Sequence, residues 1–350
     1  MNIYVLNIIL TFFWAFVFLG LVKSDNGKKA FCALTGIQWI LISGLRGMSV
    51  SPDMVSYQRK FYITMQTPWN KLFDNFYLVY VDEEGKDLGY SVFEKFIQLF
   101  TKDYHAFLFI VAVLFFTGFA VWIYKNSTNP FLSIIIFDSF LWSFFALTGT
   151  RQTLATLLVV FIGGRFIKER KFWPFLFVSL IAFTIHKSAI CFFPFYFISQ
   201  IKITKKYILG VLCSVPILFL FKEQYFTLLG QLVGYDYSEM ENSGAYSFTF
   251  MYLAVLFVSV ILLNRMKEHC PDYKMYYNAL LMGAVLLPLV FVNPAAMRTV
   301  QYYSLYLTLL LPNFITCFER RLRVPLETVL IALLLIMTNM YSRSYEFFWQ

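Results

Sequence analysis

Long apolar runs without charge, joined by short polar loops, limit what this chain can fold into more than any other feature. A backbone in lipid must satisfy its own N–H and C=O groups, so such runs become helices. Each needs about 20 residues to cross a hydrocarbon core of about 30 Å. About twelve runs can be placed by hydropathy, at residues 3–22, 30–45, 105–124, 131–148, 152–167, 172–186, 189–200, 207–221, 248–264, 276–292, 298–317 and 325–341. They do not alternate apolar and polar residues, which argues against a β-barrel. Only 14% of residues are charged, against about 25% in soluble domains. The expectation is an all-α polytopic membrane protein in which residues 1–350 form one integral-membrane domain, with no internal repeat or low-complexity linker.

The net charge of +9 reports orientation rather than affinity for nucleic acid. Of the 29 Lys and Arg, 17 fall in six short segments around Lys28, Lys125, Lys168, Lys205, Lys267 and Arg321, with only five acids among them. Short basic loops face the cytoplasm, and attraction to anionic membrane lipids follows as a by-product. On that count both termini lie outside. Met1–Tyr4 has no positive leader and no small-residue cleavage site follows, so residues 3–22 are expected to be retained as a span. The five Cys show no CxxC pair, and the three His have no metal-ligand spacing. Neither a disulfide framework nor a metal site is expected.

The longest polar segment, residues 46–104, is expected to be an outer loop carrying amphipathic interfacial helices. Ser51-Pro52-Asp53 reads as a helix start, with Ser as N-cap and Pro at the first helical position. Met54, Tyr57, Phe61 and Met65 then recur at helical spacing, and Phe93, Phe96, Ile97 and Phe100 form a second stripe with Glu94, Lys95 and Gln98 opposite. The two spans between Lys171 and Lys202 share about thirty residues, or roughly 22 Å each at 1.5 Å per residue. Either the membrane thins there, or His186 and Lys187 form the floor of an outward depression.

Polar candidates for chemistry gather at the span ends away from the basic loops. Arg151 opens a helix after Thr148-Gly149-Thr150, and Arg298 follows the helix start Asn293-Pro294. A cation at a helix N-terminus opposes the macrodipole, so two of them, with Gln152 and Lys187 on the same face, suggest a shared anion such as a phosphate. A single arginine there can equally be an interface anchor, and the same alternative applies to Arg46 in Gly44-Leu45-Arg46-Gly47. Asp53 can act as a general base or simply be a first-turn acid. His186 can carry a proton or be an ordinary interface histidine. Asp138 lies inside a span, where an acid is costly and functional by default, unless Arg165 on the next span pairs with it. Glu327 reads as a first-turn acid of the last span. Trp69, Tyr77, Tyr80, Tyr90, Tyr235 and Tyr237 can stack on sugar rings or form the aromatic belt of the membrane interface.

The order of these motifs carries a resemblance. Leu45-Arg46-Gly47 through Ser51-Pro52-Asp53, Tyr57 and Phe61 is followed by Gly89-Tyr90, by Arg151-Gln152-Thr153-Leu154-Ala155 and by His186-Lys187-Ser188-Ala189. Over roughly residues 41–200 this resembles the EpsG-type family of bacterial exopolysaccharide and capsule polymerases, grouped functionally with Wzy-type polymerases. Ser51-Pro52 stand where that family has Gly-Thr before the Asp. The resemblance implies a glycosyltransferase of the bacterial cell membrane with its active site on the extracytoplasmic side. It would move a growing glycan from its undecaprenyl-diphosphate carrier onto a lipid-linked repeat unit, needing no nucleotide sugar or other cofactor and no metal, and a chain-length regulator is a conceivable partner. The expected catalytic residues are Asp53, His186 and Arg151, and the expected substrate-binding residues are Arg46, Tyr57, Gln152, Lys187 and Arg298. A ligase of finished polymer, another lipid-linked-glycan transferase, or a flippase are the alternatives.

Overall fold

The computed structural model describes residues 2–51, 53–80, 87–233, 245–340 and 344–350. Those residues are helical apart from loops and one isolated bridge between Arg46 and Phe347. Helix α1 (Ile3–Trp14) continues through π-helical turns to Leu21, and α2 (Asp25–Gly44) follows. Ser24 caps α2, its hydroxyl accepting from the Gly27 amide at 3.1 Å. Three helices fill the segment before α6 (Tyr104–Asn126): α3 (Asp53–Gln66), α4 (Trp69–Tyr80) and α5 (Leu88–Ile97). The middle of the chain holds α7 (Pro130–Ile136), α8 (Thr150–Thr156), α9 (Gly163–Lys168), α10 (Phe172–Ile185) and α11 (Phe195–Ile198). Beyond them come α12 (Lys205–Leu220), α13 (Lys222–Val233), α14 (Tyr246–His269) and α15 (Tyr273–Val290). Last are α16 (Met297–Ser304), α17 (Leu307–Thr316) and α18 (Arg320–Met340).

By length and apolar composition, three helical stretches among the described residues can cross a membrane: Ile3–Leu21, Tyr104–Asn126 and Tyr246–His269. The pair α12 and α13 makes a fourth if it counts as one span, although it bends by 91°. The expected twelve continuous spans are therefore not reproduced. The run at 131–148 stays helical from Pro130 to Leu147, α7 passing into π-helical turns at Phe137–Leu141 and Ser143–Leu147, but its uninterrupted apolar helix is too short to count by that measure. The run at 189–200 is a 3₁₀ helix, Lys187–Phe192, and the four-residue α11. The run at 298–317 divides into α16 and α17. Hydropathy sums side chains and is blind to changes of hydrogen-bond register, which break a helix without changing its composition.

Helices α2 and α6 pack antiparallel. A Cβ at Gly36 would stand 3.1 Å from Ala120 Cβ, and one at Gly44 would stand 2.6 Å from the Phe109 ring, so small residues let these two helices approach closely. At the far end of the pair, the Lys28 ammonium donates to the Ser127 carbonyl at 3.0 Å. Other basic residues tie separate segments together: Lys168 pairs with Asp272 at 2.5 Å, and Arg323 donates to the Thr316 carbonyl at 2.9 Å.

Several polar expectations need correcting. Arg165 does not reach Asp138; it pairs with Glu169, one turn away, at 2.6 Å. Asp138 accepts instead from the Trp39 indole at 2.8 Å, the Asn7 amide at 3.3 Å and the Thr11 hydroxyl at 3.5 Å. Donors from α1 and α2 thus satisfy this acid without a cation. Glu327 is not in a first turn, because α18 begins at Arg320, and its carboxylate accepts from the Asn129 amide at 2.7 Å. Ser51 Oγ is buried and makes no hydrogen bond among the described residues, so the expected cap of α3 by that hydroxyl is not seen there. Pro52 of the same motif lies outside the described residues.

Candidate functional site

The segment between α2 and α6 buries Met54, Tyr57, Phe61 and Tyr90 in one cluster, with Glu94 and Ser91 among the polar groups it covers. On α5 the buried residues are Leu88, Tyr90, Ser91, Glu94 and Ile97, while Phe96 and Phe100 are exposed. Glu94 accepts from the Thr64 hydroxyl at 2.9 Å, and Gln98 donates to the Phe61 carbonyl at 2.8 Å, which fastens α5 to α3. Tyr90 is fully buried against Phe107 and Tyr57, which removes it as a sugar-stacking surface. Trp69 is partly exposed. The side chains of Tyr77 and Tyr80, and residues Tyr235 and Tyr237, lie outside the described residues.

Asp87, which precedes α5, is the centre of the site and was not among the expected residues. Its backbone is left-handed, with φ of 55°, an uncommon conformation for a residue with a Cβ that Lys23 and Arg170 also adopt. Its carboxylate is almost fully buried and gathers three partners. Arg151 Nη1 pairs with Oδ2 at 2.5 Å, the Lys187 amide donates to Oδ1 at 3.3 Å, and His186 Nδ1 lies 3.5 Å from Oδ2. Burial alone would raise the Asp87 pKa. The His186 contact and the charges of His186, Arg151 and Lys60 outweigh it and hold the carboxyl below its ordinary range.

Local structure delivers each of these groups. Gly149 adopts φ of 61°, a turn that only glycine makes without strain, and so sets the start of α8 at Thr150. Arg151 then projects towards α3, donating from Nε to the Tyr57 hydroxyl at 3.3 Å, with its guanidinium carbon 5.2 Å from the centre of the Tyr57 ring. Helix α10 ends at Ile185, leaving His186 buried at the break and Lys187 buried at the first position of the 3₁₀ helix. Gly89 lets α5 reach this point, because a Cβ there would lie 2.8 Å from the backbone carbonyl carbon of Thr184. Both ring nitrogens of His186 are buried, and neither makes a hydrogen bond among the described residues, Nδ1 standing 3.5 Å from the Asp87 carboxylate. Ser188 Oγ and Tyr302 OH, 3.0 Å apart, follow on the 3₁₀ helix and on α16.

Helix α8 also borders a cleft. While Arg151 faces Asp87, Gln152 points the other way, its amide donating to the Arg298 carbonyl at 2.8 Å and to Gln301 Oε1 at 2.7 Å. The cleft holds about 320 Å³ and is lined by Asp53, Thr148, Gln152, Asn293, Arg298 and Gln301, with Phe144 and Pro294 as apolar walls. Asn293 starts the helical turn there, as its sequence position suggested, by accepting from the Ala295 amide at 2.8 Å.

The expected residues thus divide into three groups. Arg151, His186, Lys187 and Tyr57 meet at Asp87, and Asp53, Gln152 and Arg298 meet in the cleft. Arg151 and Arg298 both act electrostatically on His186, but the anion facing Arg151 is the protein's own Asp87. Arg46 stands apart. It is buried, donates to the Ser43 carbonyl and hydroxyl, and is covered by the C-terminal segment, where Gly47 N donates to the Glu346 carbonyl at 2.7 Å and Phe348 N to the Leu45 carbonyl at 3.0 Å.

Fold and site together define a helical membrane protein that concentrates a buried carboxylate, a histidine and several cations around the ends of its central helices. The chain belongs to the EpsG family, whose model matches residues 28–350. No curated protein and no solved structure matches it.

Proposed function

We propose that this protein is a polysaccharide polymerase. It transfers a glycan from a polyprenyl-diphosphate carrier to a hydroxyl of a lipid-linked repeat unit, with the site facing the extracytoplasmic side. Membership of the EpsG family supports the reaction class, and the concentration of basic residues away from the site supports the orientation. One observation carries the mechanism: Asp87, fixed by Arg151 and by the Lys187 amide, lies 3.5 Å from His186 Nδ1, and Nε2 on the other side of the ring is buried with no hydrogen-bond partner among the described residues.

A carboxylate behind a histidine sets its tautomer and steadies the imidazolium that forms when it takes a proton. His186 Nε2 therefore accepts the proton of the acceptor hydroxyl as that oxygen bonds to the anomeric carbon of the donor sugar. The bond from that carbon to the diphosphate breaks, and its electron pair leaves with the diphosphate. The developing charge needs a cation that is not already neutralised. Arg151 is committed to Asp87, whereas Arg298 makes no ion pair among the described residues. Arg298 thus receives the leaving group, and Asp53, Gln152, Asn293 and Gln301 in the cleft hold sugar hydroxyls.

The test is the profile of lipid-linked glycans in a deletion strain complemented with point variants. His186→Ala and Asp87→Asn should leave single repeat units on the carrier and reduce polymer by roughly a hundredfold or more, the usual contribution of a general base. Polymer at normal levels in either variant removes the dyad from the chemistry. Loss of attachment with normal chain length would instead identify a ligase.

A further inference from the structure

We propose that a groove between α6 and α9, at the far end of these segments from Asp87, binds an anionic glycerophospholipid of the cytoplasmic leaflet. Both segments that form it start at the site and finish at the groove. Helix α6 begins at Tyr104, which is buried with Tyr57, Phe61 and Tyr90, and it ends at Asn126. The chain from Thr150 to Lys168 is helical throughout, with Arg151 on Asp87 at its start and α9 at its end. The groove holds about 480 Å³, within the roughly 300–1,000 Å³ of small-molecule sites. It follows α6 from Gly118 to Asn126, roughly 12 Å at 1.5 Å per residue. That length reaches from the charged end of the helix well into its apolar part.

Wall and mouth differ in chemistry. Trp122 and Phe161 are buried in the wall, whereas Val121 and Ile162, which also line it, are exposed apolar side chains. In a bilayer, hydrocarbon is what such side chains meet. At the mouth stand Lys125, Arg165 and Lys168, which belong to basic segments of the kind that face the cytoplasm. Arg165 bonds to Glu169 at 2.6 Å, Lys171 shares that carboxylate at 2.8 Å, and Lys168 pairs with Asp272 at 2.5 Å. Lys125 makes no ion pair among the described residues, so four cations share two acids. Helices α6 and α9 both end here, and their dipoles favour cations; the charge left after pairing remains to attract an anion. Basic pockets between helices on the cytoplasmic side take anionic headgroups on this principle. A free phosphate would leave the apolar wall unused, and a zwitterionic lipid would bring no net charge to the mouth.

The test is native mass spectrometry of the full chain in detergent, offered equal amounts of phosphatidylglycerol, phosphatidylethanolamine and phosphatidylcholine with matched acyl chains. One phosphatidylglycerol should be retained in preference to both zwitterionic lipids. Lys125→Gln and Arg165→Gln alter exposed side chains and leave helix packing in place. Each should weaken that retention roughly fivefold, the equivalent of about 1 kcal/mol per cation. The double variant Lys205→Gln, Lys206→Gln, in a different basic segment, should retain the lipid as the unaltered chain does. Ile162→Trp, which fills the groove from an exposed position, should weaken retention without changing the charge. Inorganic phosphate and glycerol 3-phosphate should not displace the lipid. In nanodiscs, a diazirine on the acyl chain of phosphatidylglycerol should label residues 118–126 and 157–168. Equal retention of all three lipids, equal loss in the Lys205, Lys206 control, or displacement by inorganic phosphate overturns the proposal. So does label concentrated in the groove of Cys32, Gly36 and Ile40 on the other side of Val121. No turnover is read, so the outcome stands apart from whether the protein polymerises glycans.

Discussion

Asp87 illustrates how a single residue can be invisible in a sequence and central in a structure. An acid just ahead of a helix reads as an ordinary cap, and Gly89-Tyr90 beside it drew attention only as part of a motif. Its partners lie far along the chain, Arg151 at a separation of 64 residues and Lys187 at 100. Arg151 was legible because a cation at a helix start needs an explanation, but the anion that explains it is internal. A lysine in its place keeps the charge yet cannot reach Asp87 and the Tyr57 hydroxyl together. Arg151→Lys should therefore lose most polymer while protein levels stay near normal, as read by glycan profiling against an immunoblot. Glu94 is a second residue whose role only burial reveals. Burial pushes its pKa to about 7, against the pull of Lys60 and of the Thr64 hydrogen bond. The folded protein then binds a proton that the unfolded chain has released, so stability falls as pH rises from the unfolded value of 4.5 towards 7. Glu94→Gln keeps an acceptor for Thr64 and should remove most of that decline, a gain of roughly 3 kcal/mol at neutral pH. Thermal melts in detergent across that pH range would show it, and parallel curves for the two proteins would reject the assignment.

At the scale of elements, the sequence located helix starts better than helix continuity. The beginnings of α8 and of the turn at Pro294 fall where Gly149 and Asn293 place them, because capping and turn geometry are local. The π-helical turns from Phe137 and the break at Leu305 were not visible, because such turns cost little in a composition that stays apolar throughout, whereas the break at Lys187 falls in the gap between the runs at 172–186 and 189–200. The break after α10 matters most, since it places His186 and Lys187 in the interior instead of carrying the helix past them. Helix α5 had to approach it closely, and Gly89 permits this. Gly89→Ala would force a Cβ against the Thr184 backbone, so it should destabilise the fold by about 1–3 kcal/mol and move Asp87 from His186. A lowered midpoint together with lost polymer is the expected outcome, and an unchanged midpoint would show that α5 does not sit on α10.

For the whole molecule, the decisive claim is orientation. The site groups collect where α10 ends and where α5, α8 and α16 begin, whereas Lys28, Lys168 and Arg323 are tied into contacts beside other basic segments. In a cysteine-free background, an impermeant thiol reagent added to intact cells should label Lys102→Cys, ahead of α6, and spare Lys202→Cys, ahead of α12. The opposite pattern would put the site in the cytosol and end the case for an outer-face polymerase.

Composition and charge spacing determined by themselves that the chain is helical and membrane-embedded and that its polar candidates form an ordered set, because the solvent preference of each residue and the chemistry of each helix start are local properties. Tertiary structure alone decided that Asp87 joins Arg151 to His186, that Gln152 and Arg298 belong to a separate cleft, and that Arg46 belongs to neither. Those outcomes depend on how closely helices distant in sequence can approach, and no local pattern encodes that.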